Sequence, residues 1–169
     1  MVLEALRSFF SSRTAEPESG APDPVAVAAC ALLLEIAHAD ETFTADEKER
    51  IARAAREDLG VAPEDVREVL RLAEEARRQS VDLYQFTKLV TESFSREQRL
   101  RLIEAIWGVV YSDGVLTAVE GQLARRIAEL LGFQHPEVQA VREKVASKRG
   151  RAEISSGISA ASSSSRTGR

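Results

Sequence analysis

Aspartate and glutamate recur at one spacing in two places. Asp40 and Glu47 bound the segment DETFTADE, and Asp113 and Glu120 bound DGVLTAVE, with Thr44 and Thr117, and Ala45 and Ala118, at matching positions. Carboxylates in such a turn have three kinds of work open to them. They can cap the helix that follows, accept from loop amides, or offer hard oxygen donors to a divalent cation. Thr44-x-x-Glu47 and Thr117-x-x-Glu120 both fit the capping box, in which the threonine hydroxyl accepts from the backbone N–H three residues on and the glutamate reaches back. A glutamate in the first turn also complements the positive end of the helix dipole. Capping explains the aspartates less well, because Asp40 and Asp113 fall where the preceding helix ends and its dipole is negative.

The aspartates invite either bonds back to loop amides or, with Asp40, Glu47, Asp113 and Glu120 as the carboxylates on offer, a divalent-cation site. Such a site is expected to be weak, or shared between the two turns or with a partner, because Ca²⁺ takes about 6–8 oxygen ligands and each turn offers two well-placed carboxylates, with Glu41 and Asp46 added only in the first. The spacing does not fit an EF-hand, which needs acidic or amide groups at alternate loop positions. The two histidines, His38 and His135, lie in no context that activates a serine, threonine or cysteine. No nucleophile–base pair is visible, so the reading is non-enzymatic.

The apolar spacing around these turns is helical. Val25, Ala29, Leu32, Leu33 and Ile36 form one stripe. Ile51, Ala54 and Ala55 continue a second helix, which Leu59-Gly60 ends. Pro63 is expected to open a third, carrying Val66, Val69, Leu70 and Ala73. Leu83, Phe86, Val90 and Phe94 mark a fourth, and Leu102, Ile103, Ile106, Trp107 and Val110 a long fifth. Leu123, Ile127, Leu130 and Leu131 give a sixth, closed by Gly132. Val138, Val141 and Val145 give a seventh, which Pro136 opens. Phe43 and Leu116, just before the caps, are candidate hydrophobic staples.

Each acidic turn follows an apolar helix and precedes a helix ending in Leu-Gly, and a proline followed by glutamate comes soon after. Agreement in helix order and stop signals as well as in the motif points to an internal duplication, over about 25–75 and 96–147. The chain is all-α, a compact bundle of about seven helices built on two helix–turn–helix repeats. Its wealth of alanine, leucine, arginine and glutamate suits that class.

Residues 25–147 are expected to form the folded domain. Residues 1–10, MVLEALRSFF, make a short amphipathic helix with Val2, Leu3, Leu6, Phe9 and Phe10 on one side. Residues 11–24 read as a disordered linker and 148–169 as a disordered basic, serine-rich tail. That tail holds Lys148, Arg149, Arg151, Arg166 and Arg169 against Glu153. The body is thus more acidic than the overall charge of −4, which argues against nucleic acid as a partner. Cys30 alone excludes an internal disulfide framework and, set among apolar neighbours, reads as buried. The longest uncharged apolar run, Val25 to Leu34, is about half of a membrane span. With no secretory signal at the first residues, a cytoplasmic location is expected.

The turns AHADETFTADE and VYSDGVLTAVE, with the trailing Leu-Gly and the apolar lead-in helices, resemble the TerB-like family of tellurite-resistance domains. That domain is also found beside J-domains in membrane-anchored co-chaperones. The resemblance covers roughly Val25 to Val145. It implies a helical bundle without enzymatic activity, acting in tellurite and stress resistance within membrane-associated complexes, with Asp40, Glu47, Asp113 and Glu120 as metal-site residues. Glu41 departs from the family pattern, which prefers glycine, as at Gly114. His135-Pro136-Glu137 is close to the J-domain His-Pro-Asp but opens a last helix instead of joining two. The expected role is a binding module working through protein contacts and weak metal binding. The alternative is a plain scaffold or adaptor with no metal site, docking a partner or a membrane surface through residues 1–10.

Overall fold

The computed structural model describes residues 22–40, 42–80, 82–112, 114 and 116–161, with side chains described as far as Ile154. Among them are seven helices: α1 (Pro24–Ala37), α2 (Ala45–Glu57), α3 (Val66–Gln79), α4 (Tyr84–Ser93), α5 (Arg96–Val110), α6 (Ala118–Leu130) and α7 (His135–Ala161). No strand occurs among the described residues.

Helix α1 is the centre of the bundle. Its sequence PVAVAACALLLEIA has one charge, Glu35, and every residue from Val25 to Leu34, with Ile36 and Ala37, is buried. A helix apolar on all sides must be surrounded, and α1 packs against α2, α3, α4, α5 and α6. The stripe expected from Val25 to Ile36 is thus one side of a helix with no solvent face. Its start is set by Asp23, whose carboxylate accepts the Val25 N–H at 3.0 Å, and by Pro24 at the first helical position. Asp23 and Pro24 therefore belong to the helix, although composition assigns them to the linker.

The second interior helix, α5, buries Leu102, Ile103, Ala105, Ile106, Trp107, Val109 and Val110 against α1, α2, α6 and α7. Each fully buried leucine or isoleucine contributes about 1.5–3 kcal/mol, so these two helices carry much of the stability. Cys30 lies in this core, and burial pushes its thiol up to about 12.

The duplication is visible in the backbone. Helices α2 and α6 both have 13 residues and begin 73 positions apart. The residues that end the lead-in helices, His38 and Tyr111, share one conformation, with φ −96° and ψ 2° in the first and φ −91° and ψ 2° in the second.

Three boundaries differ from the sequence reading. Pro63 opens a turn closed by Asp65 N–H on Ala62 O, and α3 starts after it at Val66. Pro136 is the second residue of α7, since His135 is the first. Most of all, α7 runs on to Ala161, so residues 148–161 are helical where a disordered tail was expected. Gly150 lies inside the helix without ending it, no proline follows Ser147, and Lys148, Arg149, Ala152 and Glu153 are good helix formers. Arg149 pairs with Glu153 one turn on at 3.1 Å. The amphipathic segment 1–10, linker residues 11–21 and tail residues 162–169 lie outside the described residues.

Candidate functional site

Two acidic turns

Each lead-in helix stops the same way. His38 N–H bonds to Leu34 O at 3.0 Å and Tyr111 N–H to Trp107 O at 3.0 Å, and the next amides, of Ala39 and Ser112, turn back onto Ile36 and Val109. The chain then passes through the acidic turn to a threonine cap. In the first turn Asp40 Oδ1 accepts the Thr42 N–H at 3.1 Å. Bonding to a loop amide thus answers how an aspartate is held at the negative end of a helix.

Both capping boxes form. Thr44 Oγ1 accepts from Glu47 N–H at 3.2 Å, while Glu47 Oε2 accepts from Thr44 N–H at 2.7 Å and from the Thr44 hydroxyl at 2.9 Å. In the second box the corresponding distances are 3.2, 3.0 and 2.7 Å. Both glutamates are buried to 1% exposure, far more than a surface cap requires. In Glu120 this has a consequence: Oε2 does all the capping, and Oε1 is buried with no hydrogen-bond partner among the described residues. A buried polar atom left unpaired costs about 1–3 kcal/mol, and more when charged.

The residues beside the turns differ. His38 stacks on Phe43, ring centroids 4.6 Å apart, and its Nε2 is 3.4 Å from Glu74 of α3. Tyr111 stacks on Trp107 at 6.0 Å, and its hydroxyl accepts from Arg142 Nε at 2.9 Å. Arg142 also lies over the Trp107 ring at 5.5 Å. Gly114 has φ +84°, a left-handed conformation, and its N–H bonds to Tyr111 O. Of the two expected staples, Leu116 lies over Gly121, while Phe43 packs on His38, because the fourth residue of α2 is Lys48. Phe43 and Leu116 remain 37% and 39% exposed.

Of the four expected metal-site residues, the structure places Asp40, Glu47 and Glu120 at the two turns. Asp113 lies outside the described residues, as do Glu41 and Val115. Among the described residues no three His, Cys, Asp or Glu side chains converge on one point. The donors are oxygens, the set that hard cations prefer, and the unpartnered Glu120 Oε1 is an observation that fits one.

Sequence reasoning missed a cleft between α2, α5 and α7, lined by Arg50, Gly108 and Arg149 among others. Its residues come from three separate helices. The one trace in the sequence is that Arg50 and Gly108 occupy places where the other repeat has Leu123 and Glu35.

Among the described residues no helix is long and apolar enough to cross a membrane. Residues 26–143 match the family model described as Tellurite resistance protein TerB. No curated protein and no solved structure gives a match.

Proposed function

The chain belongs to the TerB family of tellurite-resistance proteins, and on that footing we propose that it is a non-enzymatic binding module of tellurite and stress resistance. Its working parts are the two acidic turns. Asp40, Glu47, Asp113 and Glu120 supply oxygen donors to a divalent cation, held weakly, and the apolar side chains beside the turns supply the protein contacts. Its place of action is the cytoplasm, within membrane-associated complexes.

The observation that carries the metal reading is the buried Oε1 of Glu120, which has no partner among the described residues. The capping box uses only the other oxygen, so the cap alone does not account for it. A bound cation supplies a positive counter-charge to this carboxylate. The support for protein contacts is that Phe43, Leu116 and Val119 are exposed at 37%, 39% and 54%, each next to or within one residue of a capping threonine or glutamate.

Thermal unfolding with and without Ca²⁺, Mg²⁺, Mn²⁺ or Zn²⁺ tests the reading. An ion at 100 times its Kd adds about 2.7 kcal/mol to the folded state. Wild type is expected to be stabilised by at least one of these ions at millimolar concentration. In Glu120→Gln the amide oxygen keeps the cap, so that variant is expected to fold and to lose most of the ion-dependent shift. No ion-dependent shift in wild type would sink the metal reading and leave the glutamates as helix caps.

A further inference from the structure

The cleft between α2, α5 and α7 has a volume of about 800 Å³. Its floor is made by Ala105, Gly108 and Val145, and its walls by charged side chains, among them Arg50, Arg53 and Arg149. Arg50 is the unusual member. Its guanidinium lies flat on α5 at Gly108, so close that a Cβ there would fall 2.5 Å from Nη2 and 2.8 Å from Nε. Any other residue at 108 displaces it. Yet this held guanidinium makes no hydrogen bond or ion pair among the described residues, and its Nε–H is buried without an acceptor.

The neighbouring carboxylates do not supply one. Glu49 lies by Arg53 at 3.9 Å, Glu153 bonds to Arg149 at 3.1 Å and Glu104 to Lys144 at 2.6 Å. Asp58 senses the Arg50 charge without reaching ion-pair distance, and burial moves its carboxyl upward. Nor does the fold demand the arrangement. At the equivalent places the other repeat has Leu123 for Arg50, and for Gly108 it has Glu35, which pairs with Arg77 at 3.6 Å. Both halves of the Arg50–Gly108 contact therefore depart from the repeat, and they do so together.

A guanidinium presents parallel N–H donors matched to the two oxygens of a carboxylate or phosphate. One that is buried along its Nε edge, held by a glycine and lacking a partner is organised for such a group before it arrives. We infer that this cleft is an oxyanion site separate from the acidic turns, with Arg50 as its bidentate anchor. The ligand is a small molecule carrying a single carboxylate or phosphate. Because acidic and basic side chains line the cleft in near-equal number, it lacks the net positive charge that holds a polyanion such as nucleic acid.

Side-chain Nε–H resonances of the ¹⁵N-labelled full chain test this by titration with inorganic phosphate and, separately, with acetate. The titrations are run on protein freed of metal beforehand and at constant ionic strength. The Arg50 Nε–H is expected to shift saturably with at least one probe, and the tighter probe identifies the class of group. Arg50→Gln is expected to weaken binding by about tenfold or more. Arg50→Lys keeps the charge and stem but not the fork, and is expected to lose most of the affinity as well, which decides the matter if the glutamine variant does not fold. Gly108→Ala, which displaces the guanidinium while leaving it in the chain, is expected to weaken binding in the same way. Glu120→Gln is expected to leave it unchanged. No saturable shift with either probe overturns the inference, as does undiminished binding in Arg50→Lys or loss of binding in Glu120→Gln.

Discussion

The two acidic turns were built from one plan and are held differently. Up to the caps they agree closely: the lead-in helix ends in the same conformation and Thr–Glu boxes of nearly equal length start helices of equal length. Around the caps they diverge. The first turn is flanked by His38, set against Phe43 and Glu74, at the end of an α1 that has Leu34 where the other unit has Trp107. The second is flanked by Tyr111 in a stack with Trp107 and Arg142, and it uses a left-handed glycine at 114. Local hydrogen bonding has kept the caps alike, because only a few residue types satisfy the exposed N–H groups of a helix start. Packing outside the caps is less constrained, and there the copies have separated.

That contrast is broken most severely at the lead-in helices. Trp107 and Leu34 occupy equivalent positions, at 0% and 5% exposure. Trp107→Ala is expected to cost about 3–5 kcal/mol and Leu34→Ala about 2–3 kcal/mol. Urea denaturation of the two variants checks the order. The reverse order would mean that the Trp107–Tyr111–Arg142 stack adds nothing to the second unit.

Gly114→Ala comes next. At φ +84° an L side chain is strained by about 1–2 kcal/mol, and the new Cβ would also lie 3.3 Å from Arg149 Nη2, the end of a flexible side chain. The loss is therefore expected to be mainly backbone strain, and Arg149→Ala should not rescue it in a thermal melt. Smaller again are the caps. Thr44→Ala and Thr117→Ala are each expected to cost about 1 kcal/mol and to agree within a few tenths. A clear inequality would show that the boxes, for all their matching distances, are not energetically equivalent.

Much of this architecture was legible because it is local. Capping boxes, glycine stops and apolar periodicity are short-range signals, and they located the helices and the duplication. The central position of α1 was legible only in part: a stripe was visible, but the small alanines that fill its other faces allow close approach on all sides and carry little pattern of their own. The reach of α7 to Ala161 was hidden by composition, since the serine-rich stretch drew the boundary back to 148, while Arg149–Glu153 is an ordinary helical pair. At the site, the glutamate caps followed directly from spacing. Their depth of burial did not, because it depends on which helices cover the turn. Arg50 and Gly108 lie 58 positions apart, and only tertiary packing brings them together.

The smallest effect expected is electrostatic, and it sets one unit's third helix against the other's. In the first unit Arg77 holds Glu74 at 2.9 Å and lies 3.6 Å from Glu35 of α1, with only 19% of its side chain exposed. The hydrogen bond from Arg77 is the main reason the Glu74 carboxyl falls below its ordinary value of 4.5. In the second unit Glu137 is lowered likewise, first by the Gln134 N–H it accepts and then by Arg96. A carboxylate lowered in the folded state adds stability that is fully present above the ordinary value and is lost as pH falls through the folded one. Both units should therefore weaken on acidification below about pH 4.5. Arg77→Gln removes the first contribution, so the variant should lose less stability than wild type between neutral and acid pH, by under about 1 kcal/mol after solvent screening. Glu137→Gln keeps an oxygen for the Gln134 N–H and removes only a charge on a side chain that is 38% exposed, so its effect should shrink further in high salt. Urea midpoints measured at both pH values, with and without added salt, separate the two. If Arg77→Gln tracks wild type through the acid range, the α1–α3 ion pairs contribute nothing to the first unit's acid sensitivity, and the difference between the units lies wholly in the packing around their turns.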